Sequence, residues 1–226
     1  LYRHLDTVFS LVDRIIIVWT SNEKIPSDIQ EIGDLFEVEW VHSPFDENAS
    51  LAECRNAAID HIHETGLNST RWLYTLDPDE YYPAHHVNLI SVRRMAEATD
   101  SLGWMFQFKN HRQDGSYNLS ETVRMFKLDA ERIMRYEGRV HERLESAMRQ
   151  IGRNGLHPAV RYAPFIMDHF GLAKTDEQMQ KKLERYGKLL AAAIMDDPTD
   201  CGHWSSLALQ FANDGEMDKF DKAMDI

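Results

Sequence analysis

The chain predicts an α/β protein whose first half is a doubly wound, parallel-strand layer, and three observations carry that expectation. Short apolar runs alternate with amphipathic helical stretches over roughly the first 100 residues, the rhythm of strand–helix–strand crossovers. Each run ends in a polar or acidic group, at the edge where open α/β sheets bind ligands. After Asp100 the texture becomes more β-like, and from Thr175 it is helical to the end.

Leu5, Val8, Phe9 and Val12 recur at helical spacing, and Arg14-Ile15-Ile16-Ile17-Val18-Trp19 then reads as a buried strand closed by Thr20-Ser21-Asn22-Glu23. Ser27 to Leu35 predicts a short helix, Phe36 to Val41 alternates as a strand, and Ser50 to His63 predicts a longer amphipathic helix. Arg71 to Leu76 is a further apolar strand, which Pro78 stops because it has no N–H to donate, and a helix is expected from Pro83. Trp104 to Phe108 and Thr122 to Phe126 flank Asp114-Gly115-Ser116, which predicts a β-hairpin or meander. Asp176 to Met195 is a helical stretch stopped at Asp197-Pro198. Trp204, Leu207, Ala208 and Phe211 follow at the offsets of a tetratricopeptide helix pair, and a last helix carries Phe220, Ala223 and Met224. The expected division is a core over 1–174 and a helical extension over 175–226, a truncated tetratricopeptide-like repeat or an ordinary helix pair.

With 226 residues and 43% hydrophobic content the chain can bury a good-sized core. A net charge of -12 and no Lys/Arg run longer than two argue against a nucleic-acid partner, which needs a clustered basic footprint. No apolar window approaches a membrane span of about 18 to 20 residues, and no secretory leader is evident. Cys54 and Cys201 stand far apart in helix-like contexts, as reduced thiols would, so a cytoplasmic location is expected.

Asp77-Pro78-Asp79-Glu80 places three carboxylates at a strand end with no basic residue among them. A positive partner is therefore expected from outside the segment, and hard oxygen donors suit magnesium or manganese. Helix-capping acids ahead of the helix expected at Pro83 are the other reading.

Further motifs fall in order around this segment. Val12 to Val18 leads into Glu53-Cys54-Arg55-Asn56-Ala57-Ala58, then Leu76-Asp77-Pro78-Asp79-Glu80 and Arg124-Met125-Phe126-Lys127. Tyr136-Glu137-Gly138-Arg139-Val140-His141-Glu142 and Ile166-Met167-Asp168-His169-Phe170-Gly171 follow, ahead of Lys182 and Arg185. Together they resemble family 2 glycosyltransferases of the GT-A fold, in the branch with helical repeats, over about residues 8 to 190. The resemblance implies a Rossmann-like three-layer sandwich of the nucleotide-diphospho-sugar transferase type, with a C-terminal helical appendage. It implies a metal-dependent, inverting hexosyltransferase with Mn2+ or Mg2+, a nucleotide-sugar donor, UDP-linked, and a glycan, lipid or protein acceptor.

Site roles follow from the same resemblance. Asp79 and His169 are the metal ligands, and Asp77 holds the donor ribose or a metal-bound water. Arg55, Lys182 and Arg185 approach the diphosphate, Gly138 admits the backbone close to the donor, and Glu142 is the base. Trp19 stands where relatives carry an Asp that holds the nucleoside; it can stack on a base but cannot accept a hydrogen bond. The family's first strand would lie upstream of Leu1. Acceptor contacts are expected in loops at 109–121 and 147–164. Two other functions compete: a catalytically degenerate scaffold acting through its helices, and a metal-dependent phosphohydrolase using the acids at 77–80. His141-Glu142 is no zinc-protease motif, because Glu145 stands where the second His would be.

Overall fold

The computed structural model describes residues 1–45, 50–65, 72–81, 89–97, 101–128, 134–139, 142–144, 147–148, 160–172 and 175–213. The fold is mixed α/β, with six helices among the described residues. Helix α1 (Tyr2–Val8) runs through a 3-10 turn (Phe9–Leu11) into β1 (Ile16–Trp19), and α2 (Ser27–Leu35) crosses to β2 (Glu39–His42), parallel to β1. These two strands form a sheet of their own. Helix α3 (Leu51–Glu64) packs on both and leads to β3 (Trp72–Tyr74). A second, five-stranded sheet has the order β3-β6-β5-β7-β4, with β4 (Glu80–Tyr81), β5 (Gly103–Arg112), β6 (Tyr117–Lys127) and β7 (Val160–Leu172). All its pairings are antiparallel except β5 with β7. Helix α4 (Leu89–Glu97) precedes β5, and α5 (Asp176–Asp196) and α6 (Cys201–Asn213) follow the sheet.

Local chemistry explains where the elements start. Ser50 accepts from the Glu53 N–H while the Glu53 carboxylate accepts from the Ser50 N–H, so two orphan donors at the start of α3 are satisfied reciprocally. Thr175 and Gln178 do the same for α5. In α2, Phe36 ends the helix instead of opening a strand, because the chain turns through Glu37 at φ 52 before β2 begins at Glu39. The expected hairpin forms around Gly115, at φ 80, and its strands extend through residues 109–112 and 117–121, where an acceptor loop was expected. Residues 160–164 of the second expected loop likewise belong to β7, while 149–159 lie outside the described residues. The helix expected from Pro83 is described from Leu89 onward, and the last expected helix, after Asp214, also lies outside.

Two buried clusters hold the larger sheet. Ile59 of α3 packs with Phe126, Met134, Tyr136 and Leu144, while Val92 and Met95 of α4 pack with Phe106, Phe108, Phe165 and Met167. Leu189 and Leu190 of α5 bring that helix against Phe45 and Leu51, and Leu207 of α6 joins them. In α6, Ala208 is fully buried. Strand β1, expected to be buried, is half-buried throughout, and among the described residues β2 is its one strand neighbour. His61 lies 2.9 Å from the Glu39 carboxylate, beside Arg14. Cys54 is buried, Cys201 is exposed, and both are free thiols. Among the described residues no helix is long and apolar enough to cross a membrane.

Candidate functional site

The acidic segment leaves β3 and enters β4 within a few residues. Thr75 keeps the last ladder bond, its N–H donating to Arg124 at 2.8 Å, and Glu80 then turns back to pair with His169 of β7. The Phe170 N–H donates to the Asp79 carbonyl at 2.9 Å, which fixes Asp79 beside β7. This two-residue strand, too short to show a period in the sequence, brings the acids and the late histidine together.

Two arginines supply positive charge from within the protein, one from α3 and one from β6. Arg55 Nη2 donates to Asp77 at 2.9 and 3.0 Å, and its Nε donates to Glu142. Arg124 Nη2 donates to Asp77 Oδ2 at 2.9 Å and to Glu80 Oε1, while the Asp77 N–H donates to Glu80 Oε2 at 3.0 Å. Both guanidinium groups also lie over aromatic rings, Arg55 over Tyr136 at 5.5 Å and Arg124 over Phe108 at 5.3 Å. The resemblance includes Arg124 in one of its motifs without implying a role for its side chain. The signal was present nonetheless, for a charge within the apolar run Val123 to Phe126 has to find a partner when its strand is buried.

Burial and the shared arginine separate the two carboxyls. Burial raises Asp77, but the Arg124 and Arg55 guanidinium groups outweigh it and hold the carboxyl below its ordinary 3.8. Glu80 is 1% exposed, and burial, with the charge of Asp77 beside it, pushes it up to about 7 despite Arg124. Burial also pulls Arg55 down, but Asp77 and Glu142 more than restore it. Because Glu80 is raised, it holds a proton in the folded state that the unfolded chain has released. Its stabilising contribution is full below 4.5 and is lost as pH rises through about 7. Asp77 acts in the opposite sense, its contribution being present above 3.8 and lost as pH falls through the lower folded value. We therefore expect Glu80→Gln to flatten a decline on the order of 3 kcal/mol in unfolding free energy between about pH 4.5 and 8, measured by urea titration. An unchanged slope refutes it.

Asn56 sets the loop that carries Glu142. Its Nδ2 donates to the Tyr136 carbonyl at 2.9 Å and its Oδ1 accepts from the Tyr136 N–H at 2.8 Å, so a buried amide replaces a strand partner. Glu137 and Arg143 exchange two backbone bonds of 2.9 Å, closing a tight loop in which Gly138 sits at φ 96. Leu51 N–H donates to Arg139 at 3.0 Å, tying this loop to the start of α3. Glu142 thus faces Arg55 from a short tethered loop; His141 lies outside the described residues.

A second pair faces the same cleft. His169 Nε2 is 3.6 Å from Asp79 Oδ1. The Asn110 amide donates its Nδ2 to Ser120 Oγ at 2.9 Å and to the Asn118 carbonyl at 3.3 Å, so its Oδ1 is left to accept from His169 Nδ1 at 2.6 Å. This places a proton on Nδ1, and in the neutral ring the Nε2 lone pair then faces the carboxylate. Two acceptors facing each other at that distance suit a cation between them. A Cβ at Gly171 would stand 2.3 Å from His169 Nε2 and 3.0 Å from Asp79 Oδ2, so glycine keeps that space open. Among the described residues no group of three or more His, Cys, Asp or Glu side chains is arranged so that it could hold a metal ion. A cation here would take two protein ligands and complete its shell with water and substrate oxygens, as magnesium sites commonly do.

The remaining expected residues line the same cleft. Arg185 lies over Phe45 at 3.6 Å, and Lys182 Nζ donates to the Gly171 carbonyl at 3.4 Å. Trp19 ends β1 with its Nε1 donating to the Glu23 carbonyl at 2.8 Å and its ring edge-on to Trp40 at 6.4 Å. Its indole N–H is thereby held by the protein's own backbone, leaving a ring for contact. Residues far apart in the sequence thus meet in one cleft, whose walls carry Arg55, Arg124 and Arg185, the pinned His169 and the carboxylates of Asp77, Asp79 and Glu142. No family model matches this chain, and no curated protein matches it in sequence.

Proposed function

We propose that this chain is a metal-dependent, inverting glycosyltransferase of the GT-A type, moving a hexose from a nucleotide-diphosphate sugar, UDP-linked, to a glycan, lipid or protein acceptor. One observation carries the reading: the separated segments that resemble the family's ordered motifs converge on one cleft, with Glu142, Asp77 and Asp79 facing it. Convergence of that kind is not required of a chance resemblance.

Asp79 and His169 would hold the divalent cation, and Asn110 would set the histidine's tautomer from behind. A bound Mn2+ or Mg2+ supplies the charge that stabilises a departing diphosphate. Lys182 and Arg185 stand on the same cleft as cationic partners for phosphate oxygens. Asp77, already held by two arginines, is suited to accepting from a ribose hydroxyl more than to ligating a metal. Arg55 orients Glu142, whose carboxylate takes the proton from the acceptor hydroxyl as that oxygen attacks the anomeric carbon. Trp19 offers a ring face for a base and no acceptor for its edge.

Thermal shift and calorimetry with UDP, GDP and dTDP, each with and without manganese, test this. Stabilisation by one nucleotide that requires the metal is expected. No response to any nucleotide favours a scaffold, and hydrolysis of unrelated phosphoesters favours a phosphohydrolase. Asn110→Leu should weaken manganese binding by about 10- to 100-fold, read by calorimetry on the protein alone; unchanged affinity would remove His169 from the metal site.

A further inference from the structure

Helix α5 does more than extend the core. Its middle lines the cleft through Lys182, Arg185 and Tyr186, and one turn on, Leu189 and Leu190 anchor it against Phe45, Leu51 and Leu207. Its last residue, Asp196, accepts from Arg139 Nε in the loop that carries Glu142. Helix chemistry alone does not favour an acid there, because the carbonyl end of a helix carries partial negative charge and attracts cations. The last turn of α5 holds no basic residue, so Arg139 supplies the cation that this end lacks. Its guanidinium also holds the Asp196 carboxyl below its ordinary 3.8.

The far side of the same loop meets the start of α6. A Cβ at Gly202 would stand 3.1 Å from Arg143 Nη2 and 2.9 Å from Asp200 Oδ1, so the glycine leaves room for the guanidinium to lie across the corner between the two helices. That corner is braced by its own short bonds. Asp197 Oδ1 accepts from the Thr199 N–H at 3.0 Å, Asp200 Oδ1 accepts from the Gly202 N–H at 2.8 Å, and Trp204 Nε1 donates to the Pro198 carbonyl at 3.0 Å. Leu51 completes the circuit, for its N–H donates to the Arg139 carbonyl at 3.0 Å while its side chain packs against α5.

We infer that the corner between α5 and α6 is a latch that sets the position of Glu142, with Arg139, Asp196 and Gly202 as positioning residues for proton transfer. The role in proton transfer rests on the sugar-transfer reading, in which Glu142 is the base; the contacts between corner and loop do not. Arg55 aims the Glu142 side chain from α3, whereas the latch fixes the backbone that carries it. A general base must come within about 2.6–3.2 Å of its proton's donor, and a misplacement of about 1 Å can cost on the order of 10²-fold in rate. Both partners of the Arg139–Asp196 pair are partly exposed, so the pair adds little to stability. Its effect falls on turnover.

The test replaces Asp196 by Arg, which sets two cations against each other while suiting the helix end. Amide hydrogen exchange across residues 137–143, read by mass spectrometry without substrate, should quicken by about threefold or more. Turnover with a nucleotide sugar should show kcat lowered by about tenfold or more, donor KM within about twofold and Tm within about 2 °C. Asp196→Glu keeps the pair and should match the unaltered chain in every measurement. Gly202→Leu drives Arg143 off the corner from the other side and should repeat the loss in kcat at unchanged KM. Unchanged exchange in Asp196→Arg overturns the latch. Faster exchange with unchanged kcat, an equal loss in Asp196→Glu, or a joint fall of kcat, donor affinity and Tm overturns the positioning role. If the unaltered chain transfers no sugar from any nucleotide donor, the transferase reading fails, and exchange alone then decides whether the corner holds the loop.

Discussion

Replacing Arg124 by Met should cost about 3–5 kcal/mol of unfolding free energy at pH 8, the loss expected when one partner of a buried ion pair is removed and the other stays. Arg124 is 9% exposed and bonds both Asp77 and Glu80 through one nitrogen. Without it, Asp77 retains Arg55, but Glu80 keeps only the Asp77 N–H among the bonds described here. The defect should therefore shrink as pH falls from 8 toward 5, because a carboxyl already pushed up to about 7 takes a proton and no longer needs a cation. Glu80→Gln in the Arg124→Met background should recover part of the loss at pH 8, and a double-mutant cycle should give a coupling of about 1–3 kcal/mol. A loss below about 1 kcal/mol that does not vary with pH would mean that the arginine is not the charge holding this corner together.

That arginine also marks where the sequence was legible and where it was not. Helix α2 spans Ser27–Leu35 as its periodicity predicts, and α3 and α5 begin at capping boxes readable from Ser50, Glu53, Thr175 and Gln178. The hairpin at Gly115 follows from local turn chemistry. Such features depend on residues a few positions apart. The pairing of Glu80 with His169 depends instead on where β7 runs, and the Asn56–Tyr136 clasp joins positions 80 residues apart. Nothing in the neighbourhood of either residue specifies its partner. The resemblance to a family named Arg55, Asp77, Asp79, Glu142 and His169 without saying what supports them. The structure adds that support: Asn56 under the Glu142 loop, Asn110 behind His169, and Arg124 beneath the acids. It also changes the meaning of the acidic strand end. Arginines neutralise Asp77 and Glu80 from within, and of the acids in the segment Asp79 is the one that stands beside His169, the partner the resemblance implies for it.

The sharpest consequence for catalysis falls on Glu142. Under the proposed transfer reaction, Glu142→Gln should lower kcat by about 10²- to 10⁴-fold, the range of a positioned general base, while nucleotide affinity stays within a few-fold. The amide is isosteric, and its oxygen can still accept from Arg55 Nε, so the loop closed by Glu137 and Arg143 should keep its place. What it cannot do is take the acceptor's proton. Arg55→Ala is the informative contrast. It removes a cation shared by Asp77 and Glu142, so it should weaken donor binding and turnover together and lower Tm. If both variants instead behave alike, losing nucleotide binding and stability in parallel, Glu142 is a structural counter-ion of Arg55 and the base must be sought elsewhere in the cleft. If Glu142→Gln turns over normally, the carboxylate has no part in proton transfer, and the proposal would then have to stand on metal-dependent nucleotide binding alone.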